Sequence, residues 1–255
     1  MCLIALAWRV REDYPLVVAA NRDEWRDRPT QSAHRWPDHA SIFAGRDLRA
    51  GGTWMGITTA GRFAAVTNFR DPSDRRSTAK SRGALVSDFL LSAETPASFL
   101  SGLAPHAADY NGFNLLLGDG VALWYFGSRE GVAREVPPGV HALSNHLLNE
   151  PWPKVVRARQ AMEAALAARD PRGELEAFLG DATPARDDEL PQTGVGIDWE
   201  RRLSPPLIRG DAYGTRSSTT LLVHAQGALD FRELTRDATG RVTSIASNHE
   251  ERNPA

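Results

Sequence analysis

Residues 1–24 read MCLIALAWRVREDYPLVVAANRDE, and this stretch decides the fold. Two short apolar runs, Leu3 to Val10 and Leu16 to Ala20, flank Arg11-Glu12-Asp13-Tyr14-Pro15. Apolar runs this short, rich in valine and leucine and bounded by turn residues, predict two strands buried on at least one face. Joined as a hairpin with Arg9 or Val10 opposite Leu16, they bring Cys2 opposite Asp23 or Glu24. Directly opposed residues share a face, with Cβ atoms ~4.5–5.5 Å apart. The only cysteine among 255 residues therefore stands beside Asn21-Arg22-Asp23-Glu24.

Working outward, residues 27–41 are polar and proline-containing and predict a long loop. Strands are expected at Ile42 to Ala44, Thr53 to Thr58 and Arg62 to Thr67, then a mobile loop at Asp71 to Ser81. Helices are expected at Gly83 to Leu91 and Pro96 to Leu103, and a hairpin at 113–126 turning on Asp119-Gly120. Val155, Ala158, Met162 and Leu166 recur at helical period from Pro151 until Pro171, followed by a short helix at Glu174 to Leu179. Residues 181–215 read as loop. Arg216 to His224, Gly227 to Leu234 and Arg241 to Ala246 complete a meander. Strands at both ends, helices between and no βαβ alternation predict α+β, in one domain over 1–255.

Composition narrows the function. Hydrophobic residues make up 42% and charged ones 24%, with a net charge of −2. There is no basic excess to neutralise phosphates, which argues against nucleic acid as a partner. One cysteine forms no internal disulfide and requires no oxidising compartment. The apolar start is too short to span a membrane, and Arg9 follows the run rather than preceding it as in a signal peptide. A cytoplasmic protein is the expectation. The seven histidines show no metal-ligand spacing, so no metal is expected.

Cys2 follows Met1, a start that methionine-removing enzymes trim. Trimming leaves an α-amine of pKa ~7.7–8.0 on the residue that carries the thiol. That is a nucleophile with its own base. A carboxylate of Asp23 or Glu24 would hold the amine, and Arg22 would lower the thiol pKa. Asn21 joins the same cluster. Asn68 and Asn145 each follow an apolar stretch and are oxyanion donors by type, although either asparagine also suits a turn or helix cap. Trp54 and Met55, in Gly51-Gly52-Thr53-Trp54-Met55-Gly56, are apolar walls of a pocket. Arg216 enters a late strand.

Together these motifs resemble the NRDE family, also called the transport and Golgi organisation protein 2 family. The resemblance runs from Met1-Cys2 through Asn21-Arg22-Asp23-Glu24, Gly51 to Gly56, Thr67-Asn68-Phe69-Arg70 and Leu143-Ser144-Asn145 to Tyr213-Gly214-Thr215-Arg216-Ser217. A more distant likeness is to N-terminal cysteine (Ntn) hydrolases such as bile salt hydrolases and penicillin V acylases. It implies a four-layer αββα sandwich and a catalytic set of Cys2, Arg22, Asp23, Asn68, Asn145 and Arg216. Asn21, Glu24, Trp54 and Met55 would bind substrate. Arg and Asp are three apart in those hydrolases but adjacent here, which leaves the roles of Arg22, Asp23 and Glu24 open.

Two functions fit. One is an amidohydrolase acting on a non-peptide C–N amide of a small or acylated substrate, with no cofactor. The other is a carrier holding haem or an acyl or lipid ligand in the same pocket.

Overall fold

A computed structural model describes residues 2–74 and 76–250. Met1, whose removal the sequence predicts, lies outside the described residues. Strands β1 (Cys2–Trp8) and β2 (Leu16–Trp25) form the opening hairpin, followed by β3 (Thr30–Trp36), β4 (His39–Asp47), β5 (Met55–Thr58) and β6 (Phe63–Asn68). Helices α1 (Arg82–Leu91) and α2 (Pro96–Leu103) precede β7 (Phe113–Gly118), β8 (Leu123–Gly127), β9 (Ala133–Glu135) and β10 (Gly139–Leu143). Three more helices, α3 (Pro153–Leu166), α4 (Arg172–Leu179) and α5 (Ile197–Leu203), lead to β11 (Tyr213–Val223), β12 (Leu229–Arg236) and β13 (Val242–Glu250).

The strands pair antiparallel into two sheets, ordered β10-β1-β2-β11-β12-β13 and β3-β4-β5-β6-β7-β8-β9. Alternation along β1 and β2 sorts their side chains between two cores. Ile4, Leu6, Trp8, Val18 and Ala20 face the second sheet and meet Phe43, Ile57, Phe63 and Leu116. Leu3, Ala5, Ala7, Val17 and Ala19 face outward and meet Val155, Ala158, Met162 and Leu175 of α3 and α4. On the far side Ile42, Ala64, Leu115 and Leu117 pack under Leu85, Phe89 and Leu100 of α1 and α2. Helix, sheet, sheet, helix is the αββα order expected, each layer burying one apolar face.

Several expectations need correction. The connection of the first hairpin is longer than predicted, with Trp8 rather than Arg9 or Val10 opposite Leu16, so Cys2 faces Arg22 rather than Asp23 or Glu24. Residues 27–41 are no loop: β3 and β4 pair there through two register shifts. Their polar side chains suit β3 because it is an edge strand. The 181–215 segment contains α5, whose Glu200 is buried, and β13 runs past Ala246 to Glu250.

Candidate active site

The Asn-Arg-Asp-Glu quartet ends β2, so its members alternate across the sheet. Arg22, 5% exposed, stands opposite Cys2 on the face toward the second sheet. Its guanidinium lies over the Trp54 ring at 4.2 Å from the centroid, and Nη2 reaches Glu24 Oε2 at 3.7 Å. Trp54 fits there because Gly45 lacks a Cβ: a methyl at that position would come within 2.1 Å of the indole. Asn21 and Asp23 turn the other way, toward the helices. Asn21 Nδ2 donates to the carbonyls of Leu179 (2.9 Å) and Pro206 (2.8 Å), and Oδ1 accepts from Ser218 Oγ. Asn21 therefore ties α4 to the sheet; it lies outside the two larger cavities and lines only a small one, with Cys2, Arg22 and Trp54.

Asp23 is 1% exposed and accepts a 2.6 Å hydrogen bond from Thr215 Oγ1. Burial pushes its carboxyl above the usual range, opposed by the ammonium of Lys154, the Thr215 bond and Arg70. Lys154, the second residue of α3, is 2% exposed and is pulled down to about 8 by burial, against the attraction of Asp23. Beside them Arg70 and Glu200 form a buried ion pair at 2.5 Å. The sequence carried one signal for this cluster: Lys154 is a cation in the first turn of the clearest helix, the end where the macrodipole disfavours it. Glu200 lay in a segment read as loop.

Cys2 is half-buried. Burial raises its thiol above the ordinary value and the Asp23 carboxylate adds to this, while the Asp23 backbone N–H and Arg22 pull it down. Burial outweighs Arg22, whereas the sequence predicts a thiol activated by Arg22 together with an α-ammonium. A base must take the proton.

The thiol opens into a cavity of 440 Å³ that Arg22, Asp23, Glu24, Trp54 and Asn68 also line. Its rim is cationic: Arg28, Arg49, Arg76, Lys80 and Arg82 join Arg22, against Asp23, Glu24 and Asp47. Arg82, missed in the sequence, enters from the start of α1, and its field falls on Glu24 and Cys2. A second cavity of 830 Å³ shares Glu24, Arg28, Asn68 and Arg82 and is walled by Trp25, Phe69, Trp199 and Tyr213.

Three predicted residues stand behind the cleft. Met55, 2% exposed, belongs to the core between the sheets. Asn145 Nδ2 donates to the Asn68 carbonyl (2.9 Å), and its own carbonyl accepts from the Arg70 N–H (2.7 Å). It thus braces the strand end that carries Asn68. Arg216, at the bulge of β11, donates from Nη1 to the carbonyls of Trp25 (2.9 Å), Arg26 (3.3 Å) and Arg28 (3.2 Å). It braces the turn after β2.

The family model for Transport and Golgi organisation 2 matches residues 1–238. The chain belongs to this family. The Transport and Golgi organization protein 2 homolog of Bos taurus is 35% identical, covering 91% of this chain and 92% of that one. The Homo sapiens homolog is 34% identical over the same shares, 91% and 92%. Among solved structures, the mutant C2A conjugated bile acid hydrolase from Clostridium perfringens superposes with a TM-score of 0.48 at 11% identity, covering 98% of this chain and 92% of that one. Among the described residues of this family member, no helix is long and apolar enough to cross a membrane, and no group of three or more His, Cys, Asp and Glu side chains is placed to hold a metal.

Proposed function

We propose that this single-domain family member is an N-terminal-cysteine amidohydrolase of a reducing, cytoplasmic setting, acting on a non-peptide C–N amide. With Met1 removed, the α-amine of Cys2 takes the thiol proton as sulfur attacks the carbonyl carbon. The oxyanion that forms is met by the Asn68 amide. As the C–N bond breaks, the amine returns the proton to the leaving nitrogen, and water later releases the acyl group from the thioester. Asp23 holds the α-amine from the helix side of the sheet, and Arg22 offsets the charge on sulfur. Asn145 and Arg216 act by bracing Asn68 and the end of β2. The observation that carries this reading is the thiol at the floor of a cleft, with Arg22 opposite it and the Asp23 N–H directed at its sulfur.

The cationic rim suits a substrate with an anionic group, and the aromatic cavity suits its acyl part. The test is turnover of a panel of N-acyl amides bearing carboxylates on the amine side. Cys2→Ala should abolish turnover and Cys2→Ser should lose most of it. Intact mass should show Met1 absent from the active protein. Unchanged turnover in Cys2→Ala would overturn the reading.

A carrier of an acyl or lipid ligand is the second reading, favoured by the size and aromatic wall of the 830 Å³ cavity. Binding without turnover, unchanged in Cys2→Ala, would establish the carrier.

A further inference from the structure

The glycine-rich run Gly51-Gly52-Thr53-Trp54 seats a helix. A Cβ on Gly52 would stand 2.5 Å from the Gly83 carbonyl group, and the Thr53 N–H donates to that carbonyl at 3.2 Å. The first turn of α1 is thereby held at the wall of the Cys2 cavity, which Ser81, Arg82 and Gly83 line. Ser81, the N-cap, makes no side-chain cap bond, and no acidic residue occupies that turn. The N–H groups of Arg82 and Gly83 have no acceptor within the helix, and the positive end of the macrodipole lies there. Two side chains lining the same cavity also have hydrogen-bonding capacity to spare. Arg22 is 5% exposed, and its Nη1 is buried with no hydrogen-bond partner among the described residues. The half-buried Arg82 makes one hydrogen bond, from Nη1 to the Gly112 carbonyl at 3.2 Å, and no ion pair among the described residues. Other cations of the rim are committed: Arg28 to Asp47 at 2.6 Å, Lys80 to Asp109 at 2.7 Å, and Arg76 to the carbonyls of Ala108 and Tyr110. Arg82 lines the aromatic cavity as well, so it stands where the two cavities meet.

We propose that the first turn of α1, flanked by Arg22, is a phosphate-monoester subsite of the Cys2 cleft, and that Arg82 is its specificity-determining residue. Two guanidinium groups and a helix N-terminus match the charge of a dianion, and backbone N–H groups with an arginine fork suit tetrahedral oxygens. A carboxylate brings one charge and two oxygens and leaves part of the subsite unmet. No bond forms or breaks here; the subsite fixes one end of the ligand so that the rest extends past the sulfur. That the phosphate belongs to a hydrolysed substrate rests on the hydrolase reading; the subsite itself does not.

Calorimetric titration of the full-length protein with inorganic phosphate should show binding at a single site, and phenyl phosphate should bind more tightly than benzoate. Saturating phosphate should slow alkylation of Cys2 by iodoacetamide several-fold in the wild type, a readout that needs no variant to fold. Arg82→Gln should weaken phosphate binding about tenfold or more, and Arg82→Lys should recover part of the loss. Arg186→Gln, at an exposed pair with Asp188, should leave binding unchanged. Benzoate binding as tightly as phenyl phosphate overturns the proposal. So does phosphate binding unmoved by Arg82→Gln, or a Cys2 alkylation rate that saturating phosphate leaves the same. Phosphate binding that depends on Arg82, without Cys2-dependent hydrolysis, would remove the hydrolase and keep the subsite. Cys2-dependent hydrolysis without phosphate binding would do the reverse.

Discussion

At the scale of single residues, the cleft balances burial against nearby charge. Cys2 loses more from desolvation than it gains from Arg22, so its thiol stays protonated at neutral pH. Arg22→Met removes a cation that opposes this, which raises the thiol further, and leaves Glu24 to Arg28 at 3.9 Å. Alkylation of Cys2 by iodoacetamide at pH 7.5 should therefore slow several-fold in that variant. An unchanged rate would show that Arg22 does not act on the sulfur. Buried Lys154 has a consequence for stability. Its folded pKa lies at about 8, below the ~10.4 of an unfolded lysine, so the unfolded chain holds more protons between those values. Stability should then rise with pH from about 8 to about 10.4, by roughly 3 kcal/mol at most. Chemical denaturation across that range should show the rise in the wild type and a flatter curve in Lys154→Met.

At the scale of elements, the cleft depends on glycines that let backbones and rings approach. Gly45 of β4 makes the slot for Trp54, which in turn supports Arg22. Gly45→Ala should expel the indole, change its fluorescence and slow Cys2 alkylation much as Arg22→Met does. Adding Trp54→Phe, a smaller ring, should recover part of that rate. Failure of the double variant to recover anything would separate the glycine from Arg22. Gly52 packs against the start of α1, where a Cβ would stand 2.5 Å from the Gly83 carbonyl group. Gly52→Ala should cost about 1–3 kcal/mol and displace Arg82, the first residue of α1, measurable as weaker binding of anionic ligands.

For the whole molecule, α5 is joined to the body by the buried Arg70–Glu200 pair, and Arg70 also stacks on Trp152 at 4.7 Å. Breaking a buried pair from one side costs about 3–5 kcal/mol. Glu200→Ala should lose stability of that order by denaturant titration, whereas removal of the exposed Arg186–Asp188 pair should cost under about 1 kcal/mol. Met162→Ala, between α3 and the first sheet, should cost about 2–5 kcal/mol while leaving Cys2 alkylation unchanged, because α3's apolar face lies on the far side of the sheet from the cleft.

Local physics determined much of this protein from its sequence. The short apolar runs at Leu3 to Val10 and Leu16 to Ala20 set strand, because strands buried on both faces read as continuous apolar runs, and the helical period of 155–166 set α3. A lone Cys2 and the quartet at 21–24 were brought together by hairpin geometry, with a register error of one or two positions, since turn length cannot be read to a single residue from composition. Only the tertiary structure decided what the quartet does. Alternation sends Arg22 and Glu24 into the cleft and Asn21 and Asp23 to the helices, and that split depends on which sheet packs on which face. It also made β3 a strand, because an edge tolerates polar side chains, and it turned Asn145 and Arg216 into braces. Thr215 meets Asp23 across 192 residues of chain, and Glu200 meets Arg70 across 130. No local pattern encodes a contact of that range; pairing of β11 with β2 and burial of one face of α5 create it.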